Sequence, residues 1–578
     1  MRTEKGTGRI QSAGLPADGK LSPVRCSGKQ RERRENFMQK LYYGGDIITM
    51  REEGDAPEAL LAADGKIVYV GELAETRRRC LPVAEEIDLK GRTLMPSFID
   101  PHSHISMLAQ YTDFANLGKC TSFEDLVRTL SACKEEKHMG EGDVLVGYGY
   151  DHNFLDEQEH PTKAVLDRVS DAIPICILHT SGHMCVANSA LLRECGITAD
   201  TADPEGGRFG REKGGAPNGY IEEVPAMVKV LIPVFSRVKA DFARQLKKAQ
   251  QIYLKYGITT VQDGSTNASG FQKLAECAED QVFQLDVVSY VLADELEKTA
   301  GDYPEYYEKY HNRLKIGGAK IILDGSPQGR SAWLSRPYEG EETYCGYPAH
   351  TQEETDRWVE TAVDKGYQIL AHCNGDAASG QYLAAFEKAA AKSPENPDKI
   401  RTLRPVMIHC QTVRDDQLDE MKELGMIPSI FVAHTWYWGD VHLKNLGPVR
   451  GAHISPARAA MERGLVYNFH QDTPVVEPDM LHTVWCAVNR LTRSGQPIGQ
   501  DQCISVYEAL KGVTIHGAYA YHEDTRKGTL EAGKLADMVI LDRNPLKTDK
   551  MQIRDIQVLE TIKEGETLYT RQPEEKQN

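Results

Sequence analysis

Leu94-Met95-Pro96-Ser97-Phe98-Ile99-Asp100-Pro101-His102-Ser103-His104 is an apolar run that ends in two histidines one residue apart. Side chains at i and i+2 of a strand point the same way. Two imidazoles at that spacing, at the end of a buried strand, can reach one cation together. Histidine binds metals through a neutral ring nitrogen and is the commonest such ligand. The bland alternative is two unrelated histidines near a turn, so the remaining ligands have to be found.

Seven further apolar runs follow along the chain, at residues 258–263, 285–291, 319–324, 367–372, 405–409, 426–431 and 465–469. Helical stretches alternate with them, which predicts βα units and a parallel sheet. With the histidine-bearing run they make eight strands, the number in a (β/α)8 TIM barrel. The gap after the first strand, about residues 106–245, predicts an insertion with structure of its own. The barrel, insertion included, is expected over residues 96–519.

Short strands lie outside the barrel at both ends. Residues 46–50 form one, and residues 59–62 and 66–70 flank the turn Asp64-Gly65, a hairpin signal. Residues 538–541, 553–559 and 567–569 are the others. Residues 38–95 and 520–575 are therefore expected to build one small, discontinuous, β-sandwich-like domain. Residues 1–37 are rich in Gly, Ser, Lys and Arg and hold little that could form a core, so disorder is expected. An ordered pattern begins just after Met38, an alternative start.

The 578 residues exceed one small core and suit a large barrel with a satellite domain. The net charge of -17 argues against nucleic-acid partners and against an anionic membrane surface. No apolar run reaches the length of a membrane span, and the first residues lack the apolar stretch of a signal peptide. The 13 Cys are scattered without zinc-finger spacing. They read as reduced thiols of a cytoplasmic protein. The expected partner is a small-molecule substrate, and a homodimer is the default assembly.

Four more candidate ligands fall at or near strand ends, where TIM-barrel active sites lie. His372 ends the fifth strand and His409 the sixth. Asp472 follows the eighth, and Lys320 is the one cation in the fourth. Singly, each has a plain structural reading: a hydrogen-bonded histidine, a helix cap, a lysine reaching solvent. Together they occupy successive positions facing one mouth.

This pattern resembles the amidohydrolase superfamily. Gly528-Thr529-Leu530-Glu531-Ala532-Gly533-Lys534-Leu535-Ala536-Asp537 is similar to the entry into that superfamily's C-terminal β-domain. Gly182-His183, Asn188-Ser189-Ala190, Pro217-Asn218-Gly219, Lys320-Ile321-Ile322-Leu323-Asp324-Gly325-Ser326 and Asp472-Thr473-Pro474-Val475 resemble amidohydrolase family 3. That subgroup includes the N-substituted formamide deformylase-like enzymes. Two departures are visible. The family's Ser-Asp is here Gln471-Asp472, and its Ser-Leu-Gly-Ser-Arg is Ser326-Pro327-Gln328-Gly329-Arg330.

The resemblance implies a metal-dependent hydrolase of carbon–nitrogen bonds other than peptide bonds. His102, His104, Lys320, His372, His409 and Asp472 would hold two divalent ions, Zn²⁺ first, with Mn²⁺ or Fe²⁺ as alternatives. Lys320 would be carboxylated. A metal-activated hydroxide would attack the carbonyl of an amide, an N-formyl or N-acyl amine, or a cyclic amide. Asp472 would act as general acid and base. His183, Glu223, Arg330, His434 and Trp436 are candidate substrate contacts. Deaminases of aminated heterocycles in this superfamily carry a Glu three residues after the fifth-strand His, where this chain has Gly375. Deamination is thus the alternative, and a non-catalytic barrel scaffold is a third reading.

Overall fold

Eight short strands hydrogen-bond side by side, all parallel, in the order in which the chain makes them. They are Phe98–Ile99, Ile258–Thr266, Asp286–Leu292, Leu314–Ile322, Ile369–Cys373, Val406–His409, Ile427–Ile430 and Asn468–Phe469. The structure is a computed structural model that describes residues 39–182, 184–238, 241–392 and 398–572. Helices cover the outer face of the curled sheet, so its strands are buried on both sides and read as continuous apolar runs. Helix Ala268–Glu279 buries Phe271, Leu274, Ala275 and Ala278, the i, i+3, i+4, i+7 stripe of a core-facing helix. Helix Gln352–Lys365 starts in a reciprocal Thr351/Glu354 capping box and stops at Gly366, whose φ of 80° ends the helix at no steric cost.

The first and last strands are not paired with each other, and single bonds involving the segments that flank them span the gap. The Ile99 N–H donates to the Val513 carbonyl at 3.0 Å, and the His104 N–H to the Thr473 carbonyl at 2.8 Å. The chain forms an α/β barrel of the TIM type.

One expected strand divides in two. Thr93–Pro96 pairs antiparallel with Met538–Leu541, outside the barrel, whereas Phe98–Ile99 pairs with the barrel strand beginning at Ile258. Residues 93–100 are all buried, so alternation gives no sign of the break. Pro96, with no N–H to donate, ends the outer strand.

Two sheets flank the barrel. One has four strands, Gln39–Tyr43, Ala59–Ala63, Lys66–Gly71 and Glu85–Asp88. The other has five and joins both chain ends: Asp46–Ile47, Thr93–Pro96, Met538–Leu541, Val558–Lys563 and Glu566–Thr570. One apolar cluster draws on both, with Tyr42, Leu60 and Ile67 against Leu94, Met538, Ile540 and Ile562. The hairpin turns at Asp64 and Gly65, both at positive φ. Residues 48–50 leave the ladder, and Ile553 sits in the 3-10 turn Lys550–Asp555 instead of a strand. The expectation of disorder over residues 1–37 lies outside the described residues.

The insertion carries its own six-stranded sheet, made of Ala115–Asn116, Leu145–Tyr150, Ile175–His179, Met184–Ala187, Arg208–Arg211 and Pro217–Glu222. Helices Phe123–Glu136 and Val224–Arg237 accompany it. No helix among the described residues is long and apolar enough to cross a membrane, and every described cysteine is a free thiol.

Candidate metal centre

Strand ends bring all six residues of the expected ligand set to one mouth of the barrel. His104 Nε2 stands 3.1 Å and His102 Nε2 3.4 Å from Asp472 Oδ1. Lys320 Nζ is 3.5 Å from His102 Nε2. On the other side His409 Nε2 faces His372 Nδ1 at 3.0 Å and lies 4.0 Å from Asp472 Oδ2. Asp472 thus presents one carboxylate oxygen to each histidine pair.

The outward ring nitrogens are all engaged, which orients the inward ones. His102 Nδ1 meets Gln262 Oε1 and His104 Nδ1 meets the Gly264 carbonyl, each at 2.6 Å. These acceptors take the ring N–H and leave Nε2 as the lone-pair donor. His409 Nδ1 faces His470 Nε2 at 3.1 Å, and His470 Nδ1 faces Ser429 Oγ at 2.9 Å. His372 Nε2 faces the Gly325 carbonyl at 3.3 Å.

The charge states suit a cation. Burial pushes the His102 and His409 imidazoles well below the ordinary histidine range, so both are neutral near pH 7. Burial acts against the Asp472 carboxylate, but the hydrogen bond and charge of His104 hold its pKa below the usual value. His104 moves up, because Asp472 outweighs its burial. Burial pulls the Lys320 ammonium from 10.5 down to about 8. The neutral His102 and His409 rings and the ionised Asp472 carboxylate are in the forms that ligate metal, His104 would give up its proton on binding, and the donor set fits a divalent ion.

Backbone geometry is unusual at the same place. His409 has φ 76° and Asp472 φ 54°, both in the left-handed region, which residues with a Cβ seldom adopt. Gly264 sits under the first pair: a Cβ there would come within 2.9 Å of His102 Cε1 and 3.2 Å of His104 Cε1. Only glycine at that point of the second strand lets both rings lie where they do.

The expected substrate contacts scatter. Trp436 lines a cavity of about 460 Å³ with Phe154, Tyr437, Trp438 and Thr473, next in sequence to Asp472. A cavity of about 490 Å³ lies away from the six residues, against Phe114, Phe235 and Phe242. His434 is buried behind the first cavity's wall, its Nδ1 3.0 Å from His442 Nε2 and its ring 4.5 Å from Trp438. Arg330 pairs with Glu341 at 2.9 Å and lies over the Tyr338 ring. Glu223 sits at the N-cap position of helix Val224–Arg237 at φ 64°, with no capping hydrogen bond from its side chain. His183 lies outside the described residues.

Sequence reasoning passed over Gln262, Gly264 and His470. His470 was open to the same alternation argument as the first pair, because His470 and Asp472 are also two apart at a strand end.

A parallel barrel with imidazoles, a lysine and one carboxylate converging at its carboxyl ends defines a metal-dependent hydrolase. The sequence profile of the amidohydrolase family matches residues 85–569. A putative amidohydrolase of Bacillus subtilis (strain 168), YtcJ, is 26% identical over 92% of this chain and 99% of its own length. The N-substituted formamide deformylase of Arthrobacter pascens is 26% identical over 91% of this chain and 97% of its own. The crystal structure of an uncharacterized metal-dependent hydrolase from Pyrococcus horikoshii OT3 superposes with a TM-score of 0.71 at 26% identity, covering 89% of this chain and 99% of that one. The chain belongs to the amidohydrolase family and is a hydrolase acting on carbon–nitrogen bonds.

Proposed function

We propose that the chain hydrolyses an amide-type bond, in an N-formyl or N-acyl amine or a cyclic amide, with Asp472 as general acid and base. The observation that carries this reading is the placement of Asp472, half-buried between the two histidine pairs with one oxygen toward each. A carboxylate held there can take a proton from the attacking water. It can then return that proton to the leaving nitrogen, which departs poorly until protonated. Two divalent ions, zinc before manganese or iron, would be held by His102, His104, His372, His409, Lys320 and Asp472. When bound they acidify a water and polarise the carbonyl. With a pKa of about 8, part of the Lys320 amine is neutral near pH 7. The neutral amine is the form that adds carbon dioxide to become an anionic ligand. The aromatic wall of Trp436, Tyr437 and Trp438 suits an apolar body on the substrate.

Position 375 bears on deamination. A Cβ on Gly375 would stand 1.8 Å from the Trp333 carbonyl oxygen, so the backbone has no room there for an acidic side chain. The kinship to an enzyme named for deformylating N-substituted formamides points the same way.

The test is a screen of the purified enzyme against N-formyl amines, N-acyl amines, cyclic amides and aminated heterocycles, with amine and ammonia release read separately. Amine release or ring opening is expected. Ammonia from aminated heterocycles, with the amides untouched, would overturn the proposal. In Lys320→Ala, turnover should fall on the order of 10³-fold or more, with loss of bound metal. Full metal and full turnover in that variant would sink the two-ion centre.

A further inference from the structure

A second set of imidazoles lies outside the barrel. In the insertion, Leu145–Tyr150 and Ile175–His179 are neighbouring parallel strands, with His179 opposite Tyr150. Asp151 and His152 follow the first strand and His179 ends the second, so all three emerge at the same edge. His160 comes from the next loop and stacks on His152 with 3.9 Å between ring centroids. One ring nitrogen from each of His152, His160 and His179 lies within 4.8 Å of the others.

The distances are those of a coordination shell. His152 Nδ1 is 3.2 Å from His179 Nε2, and Asp151 Oδ1 is 3.6 Å from His179 Nε2 and 3.8 Å from His152 Nδ1. A point in the plane of that triangle lies about 2.1 Å from all three atoms, the length of a Zn–N or Zn–O bond. His160, with a ring nitrogen within 4.8 Å of those of His152 and His179, would be a further donor.

Three of the four groups are also held by an outer partner, as metal ligands are. The Trp438 indole N–H donates to Asp151 Oδ2 at 3.0 Å, and the Asn153 backbone N–H to Asp151 Oδ1 at 2.9 Å. His179 Nδ1 has Ser181 Oγ at 2.9 Å and accepts from the Ser181 backbone N–H at 3.1 Å, and His160 Nδ1 has Tyr150 Oη at 3.2 Å. Burial keeps His152 and His160 neutral near pH 7, His160 falling to about 3.

We propose that Asp151, His152, His160 and His179 form a second divalent transition-metal site, of the zinc type, apart from the barrel centre. Three imidazoles and a carboxylate are borderline donors that suit Zn²⁺, Co²⁺ or Ni²⁺ over Mg²⁺ or Ca²⁺. The site would clamp the insertion to the barrel mouth, because Asp151 carries Trp438, a wall of the substrate cavity, and Thr180 reaches the Val475 carbonyl at 3.4 Å. It does not rest on the chemistry assigned to Asp472.

The experiment counts metal. Full-length protein is stripped with chelator and titrated with Zn²⁺ against a chromogenic competitor, then with Co²⁺ while visible absorption is followed. The Lys320→Ala variant should keep a Co²⁺ equivalent with tetrahedral bands. His160→Gln and the pair His152→Gln/His179→Gln should each lose one equivalent relative to the parent, with far-UV circular dichroism unchanged. An unchanged equivalence in both folded variants would overturn the site and leave a set of hydrogen-bonded imidazoles. Should the double variant not fold, His160→Gln and the Co²⁺ spectrum of Lys320→Ala decide. No Co²⁺ band there, or one that His160→Gln does not alter, refutes the proposal.

Discussion

The two ends of the barrel hold buried polar clusters of opposite design. At the carboxyl ends of the strands, His102, His104, His372, His409 and Lys320 gather around one carboxylate, Asp472, and the imidazoles point lone pairs at one another. At the amino ends, Asp286 lies 2.6 Å from Lys527 and 2.9 Å from Lys563. Lys563 also meets Asp537 at 2.8 Å, Lys527 meets Glu523 at 2.5 Å, and Lys315 pairs with Glu523. Below, every ammonium has a carboxylate. Above, donors face donors, an arrangement that needs a cation to be comfortable. Catalytic ends of TIM barrels are built for chemistry and the opposite ends for stability, and here the pairing of charges makes that division visible.

If the lower cluster is structural, breaking it should cost folding and spare chemistry. Lys527→Met leaves Asp286 and Glu523 buried without their shared ammonium. It should destabilise the protein by about 3–5 kcal/mol, read by denaturant unfolding, with kcat of the remaining folded enzyme near the parent's. A large loss of kcat with unaltered stability would erase the contrast.

The same cluster sets a pH window. Burial raises the Glu523 pKa, but Lys527 and Lys315 pull it further down, to about 2 from 4.5. A depressed carboxylate stabilises the fold above its unfolded value and stops doing so as pH falls toward its folded one. About 3 kcal/mol should therefore be lost between pH 5 and 2, and Lys527→Met should show a much smaller acid slope. Melting temperature against pH checks both.

The upper cluster should respond in metal affinity instead. His470→Phe keeps an apolar ring but removes the partner of His409 Nδ1. Metal affinity should fall about 10–100-fold, with denaturant stability of the metal-stripped protein little changed. Equal affinity in parent and variant would show that His409 is oriented by packing alone.

Much of this was legible before any fold was known. The eight apolar runs and the strand-end positions of His372, His409 and Asp472 follow from local period and composition. The break at Pro96 was not legible, because residues 93–100 are buried throughout and carry no alternation. Ile553 belongs to an apolar stretch like its neighbours, yet it packs from a 3-10 turn. Arg330 sat in a family-like motif, but Glu341 and Tyr338 engage it.

The chain by itself marked His102 and His104 and the barrel they open into, but the strand stops at Ile99 and both histidines lie in the segment beyond it, where alternation no longer decides which way they face. Convergence is not local. His104 and Asp472 are 368 residues apart, and only the curled sheet brings them to 3.1 Å. Gln262, Gly264 and His470 acquired their roles the same way, by facing a ring carried on another strand. Asp151 and His179 met because two strands of the insertion run parallel and a register shift just before His179 sets it opposite Tyr150. Residue type dictates which chemistry a side chain can do, and tertiary structure alone decides which side chains do it together.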